Sequence, residues 1–199
     1  MKNRRIIMNS ILSIFLALSM FAGTGCSKAP EKEAQEPIEI KIVLENGKEM
    51  KGELYPDVAP LSVENFVKLI EEDFFDGTIF HRCIEDFMIQ GGGFDATFYD
   101  GNFDSKETAT IRGEFEANGV KNDLLHTRGV LSMARTNDPN SASSQFFIMH
   151  QDAPHLDGQY AAFGKVTEGI EVVDKIAGCK TNMGDEPIEK QVIKTIRLA

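Results

Sequence analysis

The chain has 199 residues, 42% hydrophobic and 26% charged, the balance of one globular core rather than of a low-complexity or collagen-like chain. Acidic residues outnumber basic ones, 31 to 21, and the formal charge of −10 argues against nucleic acid as a partner, because an acidic surface repels phosphate backbones. Three Cys without a C-x-x-C pair exclude a disulfide framework.

Lys2, Arg4 and Arg5 precede an apolar run from Ile6 to Ala22, the plan of an export signal. No other stretch approaches the ~20 apolar residues of a membrane span. The run stops at Gly23-Thr24-Gly25-Cys26. Small residues before a Cys resemble a bacterial lipobox, in which the Cys is lipidated and becomes the first residue. Gly23 stands where that pattern usually has Leu, and the alternative is an ordinary secretory signal with a chance Cys. Residues 1–25 are therefore expected as a lipoprotein signal peptide, and residues 26–37 as the lipidated Cys26 with a disordered linker. The linker, Ser27 to Pro37, is charged, carries two Pro and has no apolar periodicity, which predicts disorder. Without residues 1–25 the chain has 18 basic and 31 acidic groups, a charge of −13, so attachment to an anionic bilayer would depend on lipid rather than on charge.

Residues 38–199 read as one domain. Ile38, Ile40, Ile42 and Leu44 alternate with Glu39, Lys41, Val43 and Glu45, a half-buried strand. Asn46-Gly47 predicts a type I′ hairpin, and Met50, Gly52 and Leu54 continue the alternation on the return strand. The period then changes. Val63, Phe66, Val67, Ile70 and Phe74 share one face of a helix, opened by Pro60 or Ser62. Strands are predicted over Thr78–Ile84, Phe87–Gln90, Gly129–Ala134, Gln145–Met149, Tyr160–Val166 and Val192–Leu198. Ile170, Val173, Ile176 and Ala177 predict a short helix stopped by Gly178. Long loops lie between, chiefly Phe94 to Thr127. Regular βα alternation is absent, which argues against a doubly wound sheet. Two helices among seven or eight short strands predict a closed or nearly closed antiparallel β-structure.

Several familiar chemistries find no support. Gly91-Gly92-Gly93 has no Gly-Lys-Ser/Thr after it, so it predicts a tight strand exit rather than a phosphate cradle. His81 with Cys83, and His150 with His155, lack third and fourth ligands at zinc spacing, so no metal is expected. There is no G-x-S-x-G, and no Ser has an evident His and acid partner. Two segments remain. In Phe80 to Gly92, an extended strand would point Phe80, Arg82 and Ile84 one way and His81 and Cys83 the other. An Arg among aromatics, with Phe87, Met88 and Gln90 a turn away, makes an odd core, since Arg is rarely buried without a partner. In the second segment Leu131 to Arg135 is followed by Ser144 to Ile148, where Gln145 and Phe147 share a strand face. Either segment alone reads as a strand with a snorkelling Arg or packed Phe; together they need another explanation.

At these residues the sequence resembles the cyclophilins, the cyclosporin-type peptidyl-prolyl isomerases. The motifs are FHR…FMIQGG, HTRGVLSMAR, SASSQFFI and HLDGQYAAFGKV, and the resemblance runs from Ile38 to Leu198. It implies a mainly β fold, a closed antiparallel eight-stranded β-barrel capped by two α-helices, with a substrate groove on the barrel wall. By position it implies that Arg82 is the catalytic Arg, with Phe87 and Gln90 in the catalytic set. Phe87, Met88, Phe147 and Leu156 would form the proline pocket, and Gln90, Gln145 and the strand edge at Ala134-Arg135 the polar contacts. Three positions depart from many eukaryotic members: His155 for Trp, Arg135 for Asn and Tyr160 for His. These look like the bacterial branch. The family's Trp indole donates a hydrogen bond to cyclosporin, so His155 implies weaker binding of that drug. The resemblance implies no cofactor and no metal.

The expected partners are proline-containing unfolded or nascent exported polypeptides, together with a membrane reached through the lipid anchor at its extracytoplasmic face. The chain is expected to act as a monomer. The rival readings are a non-catalytic proline-peptide binding module on the cell envelope and a purely structural lipoprotein. Cys83 and Cys179 are expected as two free, buried thiols; the alternative is a disulfide, which spacing does not decide.

Overall fold

Eight strands carry most of the backbone pairing in the computed structural model, which describes residues 34–101, 105–106 and 108–199. The expected signal peptide, Cys26 and most of the linker lie outside the described residues. Residues 34–37, the end of that linker, have no regular structure, and the Gln35 amide donates to Asp57 Oδ2 at 2.8 Å.

The strands are β1 (Ile38–Leu44), β2 (Glu49–Leu54), β3 (Thr78–Ile84), β4 (Met88–Asp95), β5 (Val130–Met133), β6 (Phe146–Met149), β7 (Ala162–Glu168) and β8 (Ile193–Leu198). They form one antiparallel sheet in the order β3-β4-β6-β5-β7-β2-β1-β8. The sheet curls until its two edges meet. Gly77 N donates to Ile193 O and Phe80 N to Gln191 O, both at 2.9 Å, and Ile79 bridges Val192. The result is a nearly closed eight-stranded barrel, as expected, in which few backbone groups at the edges are left to pair with another chain.

The helices are α1 (Pro60–Glu71) and α2 (Ile170–Ala177). Pro60 occupies the first turn of α1, where its missing N–H costs nothing. Ser62 is not the N-cap. Glu114 does that work from a distant loop: its Oε1 accepts from Leu61 N at 2.9 Å and its Oε2 from Ser62 N at 2.7 Å and Ser62 Oγ at 2.8 Å. A carboxylate there satisfies orphan N–H groups and complements the helix dipole. Phe66 on α1 is fully buried and meets Phe75, Phe146 and Phe163 at ring-centroid distances of 4.8, 5.2 and 5.1 Å. Phe74, predicted on the helix face, falls beyond the helix end and is half-buried; Phe75 enters the core instead. Val172, Val173 and Ile176 of α2 join the same core.

Three local predictions are corrected. In the β1–β2 hairpin only Gly47 has positive φ (80°), whereas a type I′ turn needs two such residues. Gly47 N donates to Leu44 O at 3.0 Å and Leu44 N to Lys48 O at 2.8 Å, a three-residue loop with a glycine bulge. Gly91-Gly92-Gly93 is not a strand exit but the middle of β4. Gly92 has φ 84°, and a Cβ on Gly91 would lie 2.8 Å from Ile79 O, so only glycine lets β4 run this close to β3. Finally, Phe80 does not share a face with Arg82. The register steps from Phe80↔Gly91 to Arg82↔Gln90, so His81 is the extra residue of a β-bulge. Phe80 therefore points into the core with Cys83, while Arg82 faces outward.

Candidate active site

Strands β5 and β6 are buried on both faces, and this creates the site. Along β6, Phe146 and Ile148 point into the barrel, while Phe147 packs outside it with Met88, Val130, Met149 and Leu156. This outer cluster floors a groove on the barrel wall. Arg82, Phe87, Met88, Gln90, Ala134, Arg135, Phe147, Leu156 and Tyr160 line about 160 Å³ of it. A polar extension continues from Gln90, Ala134 and Arg135 past Gln145 to Ser141 and Ser143. All the predicted groove residues except His155 thus line one continuous surface. His155 is exposed, and its ring stacks on Phe87 at 5.6 Å.

The apolar floor is held from behind. Phe147 meets Tyr160 edge-on at 5.8 Å and lies parallel to the His126 ring at 6.0 Å. His126 Nδ1 is 3.0 Å from Asp157 Oδ1, and its Nε2 is 3.0 Å from Ser132 Oγ. The structure thus finds a Ser–His–Asp row where the sequence showed no Ser with such partners. Ser132 is fully buried, so no substrate carbonyl reaches its hydroxyl, and the row acts as a rigid wall for Phe147. Burial holds the His126 pKa below its usual value, against the opposing pull of Asp157. The three residues lie within HTRGVLSMAR and HLDG, but Ser132 and Asp157 meet only through the fold.

The polar side is equally ordered. Gln90 Nε2 donates to Gln145 Oε1 at 2.9 Å; Gln90 bonds to Gln145, not to Arg82. A Cβ on Gly93 would lie 2.4 Å from Gln145 Cγ, so this glycine makes room for the Gln145 side chain. Arg135 is committed. Its Nη1 donates to Thr136 O at 2.8 Å and its Nη2 to Gln159 O at 2.9 Å, while its guanidinium lies 4.5 Å from the Tyr160 ring centroid. Arg82 is different. Its side chain is 43% exposed, and it pairs through Nε with Asp185 Oδ2 at 3.6 Å. Among the described residues its Nη groups bond to no protein atom. The groove therefore offers an apolar floor beside one guanidinium whose terminal donors are free. No sequence signal points to Asp185, which lies in the loop before β8.

The residues flanking Arg82 are buried. Cys83 contacts the Cys179 thiol, and burial pushes the Cys83 pKa well up. Both thiols are free, though Cys179 is only half-buried, contrary to expectation. His81 packs against Phe94 at 4.7 Å; burial, reinforced by the adjacent Arg82, lowers its pKa to about 4. His81 is therefore neutral in the folded state down to about pH 4, and below 6.5 it takes up a proton on unfolding. Its contribution is fully present above the unfolded value of 6.5 and is lost as pH falls towards 4. We expect the unfolding free energy to be about 2 kcal/mol lower at pH 5 than at pH 7 from this group, with His126 acting in the same direction. Urea unfolding at the two pH values checks this, and equal stabilities would contradict it.

Residues 39–198 match the family model described as cyclophilin type peptidyl-prolyl cis-trans isomerase. The chain belongs to the cyclophilin family. Like its relatives it is a peptidyl-prolyl cis-trans isomerase (EC 5.2.1.8). A peptidyl-prolyl cis-trans isomerase of Acinetobacter baylyi is 43% identical over 171 residues, covering 82% of this chain and 84% of that one. A second, from Streptomyces antibioticus, is 43% identical over 159 residues, covering 73% and 90%. The crystal structure of a cyclophilin type isomerase of Cryptosporidium parvum superposes with a TM-score of 0.70 at 31% identity, covering 82% of this chain and 98% of that one. The same parasite protein, in the presence of the dipeptide Ala-Pro, matches with a TM-score of 0.68 at 32% identity, covering 81% and 98%. The cyclophilin barrel inferred from the motifs is thus the barrel observed.

Proposed function

We propose that this groove is the active site, that Arg82 is its catalytic residue, and that the enzyme works on exported polypeptides outside the cytoplasm. The observation that carries the catalytic assignment is the pairing of an apolar floor with a guanidinium whose Nη donors are uncommitted. An Xaa-Pro bond isomerises over a barrier of about 18–20 kcal/mol, set by amide resonance. In the twisted transition state the prolyl nitrogen lone pair is no longer delocalised and becomes a hydrogen-bond acceptor. A donor fixed there stabilises the transition state more than the ground state. Arg82 supplies it without a proton transfer or a nucleophile, because guanidinium stays charged and rich in N–H groups. Phe87, Met88, Phe147 and Leu156 hold the proline ring. Gln90 and Gln145, locked to each other, present amide groups to the peptide backbone beside the Ala134-Arg135 strand edge. The groove reads a proline and backbone, which fits a monomer of broad specificity that assists folding of many chains. The Ala-Pro dipeptide used with the parasite relative is the kind of ligand this groove suits. The activity shared by the relatives favours catalysis over the binding-module alternative.

The location rests on the sequence. Basic Lys2, Arg4 and Arg5, the apolar run and Cys26 support a lipid-anchored enzyme on the extracytoplasmic face of the cell membrane, in keeping with the bacterial relatives. Acyl chains on Cys26 would hold the acidic domain at a surface it cannot bind by charge. In the native host the wild-type protein is expected in the detergent phase, and Cys26→Ala is expected to carry no lipid. An unmodified N-terminus downstream of Cys26, found by mass spectrometry on the native protein, would overturn the anchor.

A further inference from the structure

We propose that Asp185 is a positioning residue for Arg82, an inference that rests on the catalytic reading of Arg82 above. Asp185 sits in the loop between α2 and β8. That loop is closed by Asn182, whose N donates to Glu186 O at 2.9 Å and whose Oδ1 accepts from Gly184 N at 2.8 Å and Glu186 N at 3.1 Å. The closure leaves Asp185 at φ 62°, a left-handed conformation that Asp and Asn tolerate better than other side chains. In this conformation Asp185 holds β3 twice. Its backbone carbonyl accepts from Cys83 N at 2.8 Å, and its carboxylate lies 3.6 Å from Arg82 Nε.

The choice of nitrogen matters. Arginine has five N–H donors in a planar fork, one on Nε and four on the Nη groups. A carboxylate at Nε sets the plane of the guanidinium and leaves the four Nη donors for the substrate. Arg82 is half-exposed at the groove wall, and no other carboxylate pairs with it among the described residues. Without Asp185 its long side chain would sample more rotamers, and fewer would place a donor at the prolyl nitrogen. Asp185 thus acts on the orientation of the donor rather than on the grip of the pocket, so its removal lowers kcat and leaves KM unchanged.

A double-mutant cycle on the full chain, assayed with an Ala-Pro-containing peptide, tests this. Asp185→Asn keeps the left-handed backbone and the carbonyl that holds Cys83, and removes the charge. Asp185→Gly removes the whole side chain at no backbone cost. Each is expected to lower kcat by about three- to fivefold, the size of a good exposed ion pair, with KM and melting temperature near wild type. In the Arg82→Ala background the same changes are expected to do nothing further. Wild-type kcat in both folded variants would overturn the proposal. So would equal losses in both backgrounds, which would mark a role independent of Arg82. Full activity in Arg82→Ala alone would instead overturn the catalytic reading itself, and the positioning role with it.

Discussion

Replacing Arg82 by alanine is expected to lower kcat/KM about a hundredfold, a loss of about 3 kcal/mol of transition-state stabilisation. The size follows from losing one charge-assisted hydrogen bond that matters mainly in the twisted state. Peptide affinity should change far less, because the floor of Met88, Phe147 and Leu156 stays intact. Arg82→Lys should rescue poorly, since an ammonium lacks the planar fork and would not pair with Asp185 while reaching the substrate. The fold should survive, because the Arg82 side chain is 43% exposed and its ion pair is long. Steady-state isomerisation kinetics, a peptide titration and a melting curve check all four statements.

The largest expected effect on stability comes from Phe66→Ala, which should cost about 4 kcal/mol. Phe66 is fully buried at the junction of α1 and the barrel, and its ring touches those of Phe75, Phe146 and Phe163. Three aromatic neighbours cannot all collapse into the space it leaves, so the loss combines buried area, ring contacts and a cavity. Phe146 is the inward neighbour of Phe147 on β6, yet the outer wall is braced separately by His126 and Tyr160. The variant should therefore unfold at lower urea while retaining peptide affinity at temperatures where it is folded. A destabilisation under 1 kcal/mol would contradict this account of the core.

The parts of this structure visible in the sequence are those governed by local periodicity. Ile38 to Leu54 reads as two strands because one face is buried and the other is wet, and the strand predicted over Thr78–Ile84 has the bounds of β3. The groove residues were legible through the motifs, and the fold brings them together. What escaped depends on contacts between distant segments. His81 is the extra residue of a bulge, and this turned Phe80 inward against simple alternation. Glu114 caps α1 from a loop more than fifty residues away, which no local capping rule detects. Ser132, His126 and Asp157 form a row only because β5 packs beside the loop that follows β6. Asp185 reaches Arg82 through a loop whose shape is set by the Asn182 side chain. A glycine triplet suggested a strand exit, but the close approach of β3 and of Gln145 makes those glycines strand residues.

The central claim is that Arg82 acts on the twisted state rather than on the bound peptide. The most direct test is the cis–trans exchange rate of a saturating Ala-Pro-containing peptide on the enzyme, measured by NMR exchange for wild type and Arg82→Ala, with the peptide Kd taken on the same samples. The account predicts that on-enzyme exchange falls about a hundredfold while Kd stays within about threefold. A folded Arg82→Ala protein that exchanges the bound peptide at the wild-type rate would contradict it.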